Sequence, residues 1–185
     1  MSLTKQLLAA TMMAGLLTAV QAAEPLKIGM ILPMSGPFAD YGKQIEHGAK
    51  LYLQEHNNML GGRPVEMILK NDDPGTSGEI DKRLAQDLVI RDKVDILAGF
   101  ALTPSGLAVA SIATEAKKPM VIMNAATSII TTKSPNIVRV SMTLPQTTAP
   151  IATWAAKNGI KKVFILVADY GPGHDAETQF KKTFT

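Results

Sequence analysis

The 185-residue sequence contains no cysteine. Without a thiol the chain forms no disulfide and cannot carry the thioether-linked lipid of an exported lipoprotein, so its stability must come from an ordinary hydrophobic core. An excess of one charge is also missing: 19 Lys and Arg against 16 Asp and Glu leave a formal net charge of +3. Lys117-Lys118 and Lys161-Lys162 are isolated pairs, and no basic run is interleaved with aromatics, so nucleic acid is not an expected partner. The three histidines, His47, His56 and His174, show no i, i+4 pairing, which argues against a zinc site. No G-x-S-x-G elbow occurs, and Ser105 has no nearby His in a triad-like arrangement. These absences turn attention from catalysis to binding.

What the chain does have begins at its amino terminus. Lys5 is followed by an apolar run from Leu7 to Val20 and then by small residues at Ala22 and Ala23, the layout of a cleavable signal peptide whose apolar core is too short to span a bilayer comfortably. Residues 1–22 are therefore expected to be a signal peptide cut after Ala22, and the mature protein to be exported.

From Leu26 onward, short apolar runs alternate with amphipathic stretches, the signature of strands alternating with helices around a mostly parallel sheet. The fold class expected is α/β, doubly wound. Strands are expected at Lys27–Leu32, Val65–Lys70, Val94–Ala98, Met120–Met123, Ile137–Val140 and Lys162–Val167. Helices are expected at about Tyr41–Asn58, from a cap at Thr76 or Ser77 to Arg91, from Thr103 to about Lys117, at Gln146–Asn158 and from about Pro172. Thr103 reads as an N-cap with Pro104 opening the helix, and Gly159 as a left-handed helix stop. The expected organisation is a first domain over 23–141 and the opening of a second over 142–185, whose last helix is still running at Thr185.

In an open parallel sheet, ligands sit beyond the carboxyl ends of the strands, where helix amino termini present unpaired N–H groups and a partial positive charge. Three such loops carry small polar residues: Ser35-Gly36-Pro37, Thr103-Pro104-Ser105 and Ala125-Ala126-Thr127. A Thr before Pro at a helix start is by itself most simply a cap. The recurrence of hydroxyls in the loop after the next strand, at Thr127, is what points to an anion or zwitterion site.

The segments LKIGMILPMSGPFADYG, NDDPG, GFALTPSGLAVASIATEAKKPMVIMNAATS and VFILVADYGPG, taken in order, resemble the leucine/isoleucine/valine-binding protein family, the type I periplasmic solute receptors of ABC importers. The resemblance covers essentially all of the chain after the signal peptide. It implies a monomeric, cofactor-free, periplasmic receptor with no enzymatic activity. Such a receptor closes two lobes on a small carboxylate ligand, a branched-chain amino acid or an aromatic acid, and delivers it to a membrane permease. By the same resemblance, Thr103 falls on the carboxylate-binding hydroxyl, or Ser105 if the alignment shifts by two. Ala125 supplies a backbone group, Thr127 a second hydroxyl, Tyr41 a pocket wall, and Tyr170 of the second lobe a closing aromatic. The chain departs from the family pattern at Leu102, where amino-acid receptors often place a disulfide-bonded Cys. The acid that pairs with a ligand ammonium belongs to the second lobe, beyond Thr185.

Other signals have simpler explanations. Gly171-Pro172-Gly173-His174-Asp175-Ala176 formally fits a dinucleotide fingerprint, but a turn presenting Tyr170 accounts for it in an exported chain. Asp72-Asp73 precedes Pro74-Gly75 and reads as turn chemistry. An extracellular sensory domain of the same fold, or a secreted hydrolase with a base from elsewhere, are the alternatives.

Overall fold

The computed structural model describes residues 23–72 and 78–184; the expected signal peptide, the helix cap at Thr76 or Ser77, Asp73-Pro74-Gly75 and Thr185 lie outside them. The described elements are β1 (Leu26–Leu32), α1 (Ala39–Glu55), β2 (Met59–Leu60), β3 (Arg63–Asn71), α2 (Glu79–Ile90), β4 (Ile96–Gly99), α3 (Thr103–Glu115), β5 (Met120–Ile122), β6 (Ile137–Arg139), α4 (Leu144–Lys157) and α5 (Gly171–Phe184). They build a sheet of order β2-β3-β1-β4-β5-β6, parallel throughout except where β2 pairs antiparallel with β3. The chain starts in the middle of the sheet, winds to one edge and returns past β1 to the other, which is the doubly wound α/β architecture.

Strands of such a sheet are covered on both faces and so read as nearly continuous apolar runs. Ile31 of β1 and Met120 and Ile122 of β5 turn to one face, where Ala85 and Leu88 of α2 and Val109, Ala110 and Ala113 of α3 close the larger core. Met30 and Leu32 turn to the other face, where Ile45 and Ala49 of α1 pack. Full burial of side chains such as Leu88, Leu97 and Ile122 contributes about 1.5–3 kcal/mol each. α1 does not cover the whole of its face, and an apolar groove of about 400 Å³ remains beside Tyr52, Met67 and Val121.

Three features differ from the sequence expectation. The Lys162–Val167 segment forms no strand; its alternation is present, with Phe164 90% and Leu166 87% exposed, but a strand requires a ladder partner and no described residue supplies one. Thr103 is not the N-cap of α3. Leu102 holds the extended capping position, and Thr103 is the first helical residue. The two-residue strand β2 and the 3₁₀ turns Gly36–Phe38 and Ser128–Thr132 are too short to carry a periodic signal. Gly159 does adopt the left-handed conformation, with φ 75°.

Candidate ligand-binding site

The carboxyl ends of β1, β4 and β5 converge on one small cavity of about 120 Å³, and the local sequence explains how each wall is placed. Beyond β4 the chain must leave the sheet abruptly. Gly99 has φ 105°, and a Cβ there would lie 2.3 Å from the Ile31 carbonyl oxygen, so no other residue fits without backbone movement. Phe100 follows with φ 60° while fully buried. A bulky residue in the left-handed region is strained and persists only where its surroundings over-determine it. Here Phe100 N–H donates to the Ile31 carbonyl at 2.9 Å, and its own carbonyl accepts from Ala125 N–H at 3.0 Å. This double turn carries Ala101 and Leu102 across the strand ends and starts α3 at the cavity.

The first loop is held by Asn71, whose Oδ1 accepts from Met34 N–H at 2.8 Å and whose Nδ2 donates to Ser35 Oγ at 3.0 Å. That clamp presents Phe38 and Tyr41, stacked with ring centroids 6.1 Å apart, on one side of the cavity. Asn124 is fixed by donating from Nδ2 to the Ala101 carbonyl at 2.8 Å. On the far side stand Leu144, Tyr170 and Pro172.

Thr103 and Thr127 meet at this place: their hydroxyl oxygens are 2.7 Å apart, and the residues are 5% and 4% exposed. One hydrogen suffices for their mutual bond, so the second is available to an acceptor. Beside them the first turn of α3 offers N–H groups without intrahelical partners and the positive end of a helix dipole. The set of donors is matched to a carboxylate. α5 closes over the pair, since a Cβ on Gly171 would lie 2.7 Å from Thr127 Oγ1. The loop is pinned further by Arg139, which donates to the Thr127 carbonyl at 2.5 Å, and by Asp175, whose carboxylate accepts from Ser128 N–H at 2.6 Å. Burial lowers the Arg139 pKa while nearby Asp175 raises it.

Of the residues singled out in the sequence, Tyr41, Thr103, Ala125 and Tyr170 line the cavity, and Thr127 backs it through Thr103. The N–H of Ala125 is already engaged by Phe100. Ser105 does not reach the cavity; it is 2% exposed and donates to Asp81 Oδ1 at 2.7 Å. Phe38, Asn124 and Leu144 were not foreseen as lining residues. Phe38 lies three positions before Tyr41, a spacing that puts both on one side of a helical turn and was readable in principle. The larger apolar groove beside α1 lies on a sheet face and lacks polar groups to orient an anion, so the smaller cavity is the better candidate despite its size.

The model of a family described as periplasmic binding protein matches residues 25–185. The chain belongs to that family. It is 48% identical over 163 residues to the Leu/Ile/Val-binding protein homolog 6 of Brucella abortus, covering 88% of this chain and 42% of the relative. Among solved structures it resembles the solute-binding protein of an ABC transporter from Rhodopseudomonas palustris BisB5 in complex with 3,4-dihydroxybenzoic acid. That match has 50% identity and a TM-score of 0.83, and covers 86% of this chain and 44% of the other. A second R. palustris solute-binding protein, in complex with 4-hydroxybenzoate, matches at 48% identity with a TM-score of 0.83, covering 87% and 44%. The chain thus spans less than half the length of the relatives it matches.

Proposed function

We propose that this protein is the periplasmic receptor of an ABC importer and that it binds a small aromatic carboxylic acid. In this reading residues 1–22 direct export, 23–141 form the first ligand-binding lobe and 142–185 begin the second. The observation that carries it is the buried Thr103–Thr127 hydroxyl pair at the amino terminus of α3, set between Phe38 and Tyr41 on one side and Tyr170 on the other. The hydroxyls and helix-end amides take the carboxylate, and the aromatic side chains take the ring. Relatives near 50% identity hold hydroxybenzoates, which supports the same ligand class here. The exposed Phe164 and Leu166 support a second-lobe sheet that pairs with this segment in the whole protein.

Such a receptor performs no chemistry on its ligand. The ligand favours the closed arrangement by contacting both lobes at once, and the closed form is what the permease engages. A branched-chain amino acid is the second reading, favoured by the name of the Brucella relative. It requires a carboxylate for the ammonium group, and the described residues lining the cavity include no Asp or Glu.

A thermal-shift screen separates the readings, because a ligand that binds only the folded state raises the melting temperature. Stabilisation by 4-hydroxybenzoate or benzoate and not by leucine supports the aromatic reading; the converse supports amino-acid import. Silence toward both sets removes the proposal in favour of a sensory domain or hydrolase. Thr127→Ala should weaken binding of the active compound by at least about tenfold, the worth of one charge-assisted hydrogen bond. Unchanged affinity would mean that Thr127 is no part of the site.

A further inference from the structure

The peptide unit that joins Thr127 to Ser128 is held at both of its polar edges by side chains of opposite charge. Arg139 of β6 donates from Nη2 to the Thr127 carbonyl at 2.5 Å, and Asp175 of α5 accepts from the Ser128 N–H through Oδ2 at 2.6 Å. The bond between the two residues is trans, so this C=O and this N–H point away from each other in one plane. The guanidinium therefore stands at the negative end of the peptide dipole and the carboxylate at its positive end. Both bonds are charge-assisted, and together they fix the plane of the peptide.

A turn of this kind commonly meets its free N–H groups with the side chain of its own capping residue. Thr127 is the N-cap of the 3₁₀ turn Ser128–Thr132, yet its side chain makes no capping bond; the hydroxyl is directed instead to Thr103, 2.7 Å away. The first N–H of the turn is met from outside, by an acid on another element. α5 makes the contact along one side. Gly171 and Asp175 stand at i and i+4, a single helical turn apart on the same face. At Gly171 the backbone comes so close that a Cβ would lie 2.7 Å from Thr127 Oγ1, and at Asp175 the carboxylate reaches Ser128.

We propose that Asp175 and Arg139 are positioning residues that clamp the Thr127–Ser128 peptide from its two edges, so that the Thr127 hydroxyl is held toward Thr103 only while α5 is docked. The clamp turns the docking of a helix into the orientation of a hydroxyl. When α5 withdraws, the Ser128 N–H loses its acceptor and the peptide is gripped at one edge alone. The Thr127 hydroxyl is then free to turn back onto the N–H groups of its own turn. What the clamp does for a ligand rests on the binding function proposed above; the clamp itself does not.

The full chain is tested first without ligand. In Asp175→Ala, exchange of the Ser128 amide hydrogen should accelerate about tenfold, while the Ala125 N–H, bonded to the Phe100 carbonyl at 3.0 Å, keeps its wild-type rate. The three-bond coupling between the Thr127 methyl carbon and its backbone nitrogen reports χ1 and should change in the same variant. Asp175→Asn keeps a neutral oxygen acceptor, so exchange should rise only about threefold and the coupling should stay at its wild-type value. Arg139→Met removes the other grip and should also shift the coupling; it and Asp175→Asn carry the test if Asp175→Ala does not fold. Unchanged Ser128 exchange in Asp175→Ala, equal acceleration at Ala125, or an unchanged coupling in both Asp175→Ala and Arg139→Met overturns the clamp.

Added 4-hydroxybenzoate then reads the link to binding. Its Kd should rise about tenfold in Asp175→Ala and no more than about threefold in Asp175→Asn. A wild-type Kd in Asp175→Ala with Ser128 exchange accelerated overturns the link from clamp to ligand. Failure of the wild type to bind this acid refutes the binding reading instead, and the ligand-free exchange and coupling still decide the clamp.

Discussion

The buried hydroxyl pair yields a quantitative expectation. Thr103 and Thr127 lie on different elements, 24 positions apart, with their oxygens 2.7 Å from each other and almost no solvent access. Replacing one of them by Val keeps the shape and deletes the hydroxyl, leaving the other oxygen buried without its partner. That loss should cost about 1–3 kcal/mol for either single substitution. The double variant Thr103→Val/Thr127→Val has no stranded polar group, and replacement of both partners by apolar groups of the same shape is nearly neutral. The cycle should therefore be strongly non-additive, with a coupling energy whose magnitude is about 2 kcal/mol or more, since the double variant escapes both single costs. Urea unfolding of the four proteins measures it, provided the m-values agree. Additive costs within about 0.5 kcal/mol would refute the reasoning, because two hydroxyls that do not satisfy one another would each lose only their own contribution. Binding runs in the opposite sense: the double variant should be nearly as stable as the wild type and have the weakest affinity for 4-hydroxybenzoate.

Two further expectations test the framework of the site. Gly99→Ala places a Cβ 2.3 Å from the Ile31 carbonyl oxygen at φ 105°, so it should destabilise the protein by about 3 kcal/mol or more, measured by chemical denaturation; a loss under about 1 kcal/mol would show that the β4 end can relax. Thr143 caps α4 in a reciprocal box with Gln146, accepting from Gln146 N–H at 3.4 Å while Gln146 Oε1 accepts from Thr143 N–H at 2.8 Å. Thr143→Ala should cost about 1 kcal/mol, and Thr143→Asp should restore most of it.

The local sequence determined most of the architecture, because alternating apolar runs and amphipathic stretches report burial directly. The 26–32 run had to be a strand with both faces covered, and the residues at the ends of β1, β4 and β5 had to be where a ligand could approach. Family likeness, carried by ordered motifs, named the hydroxyls at 103 and 127. What sequence spacing does not contain is the third dimension of a packed turn. Thr103 looked like a cap, yet the left-handed step at Gly99 and Phe100 moves the capping position to Leu102 and frees the Thr103 hydroxyl for Thr127. Asp72 read as a turn residue and is nonetheless 3% exposed, and the hydrogen bond from Ser105 of α3 to Asp81 of α2 joins two helices whose meeting no local spacing encodes. The Lys162–Val167 run has the alternation of a strand, but pairing depends on a neighbour, and a sequence segment cannot supply its own. Periodicity records which faces are apolar; close approach between distant segments decides which polar groups meet, and that is settled only when the chain is packed.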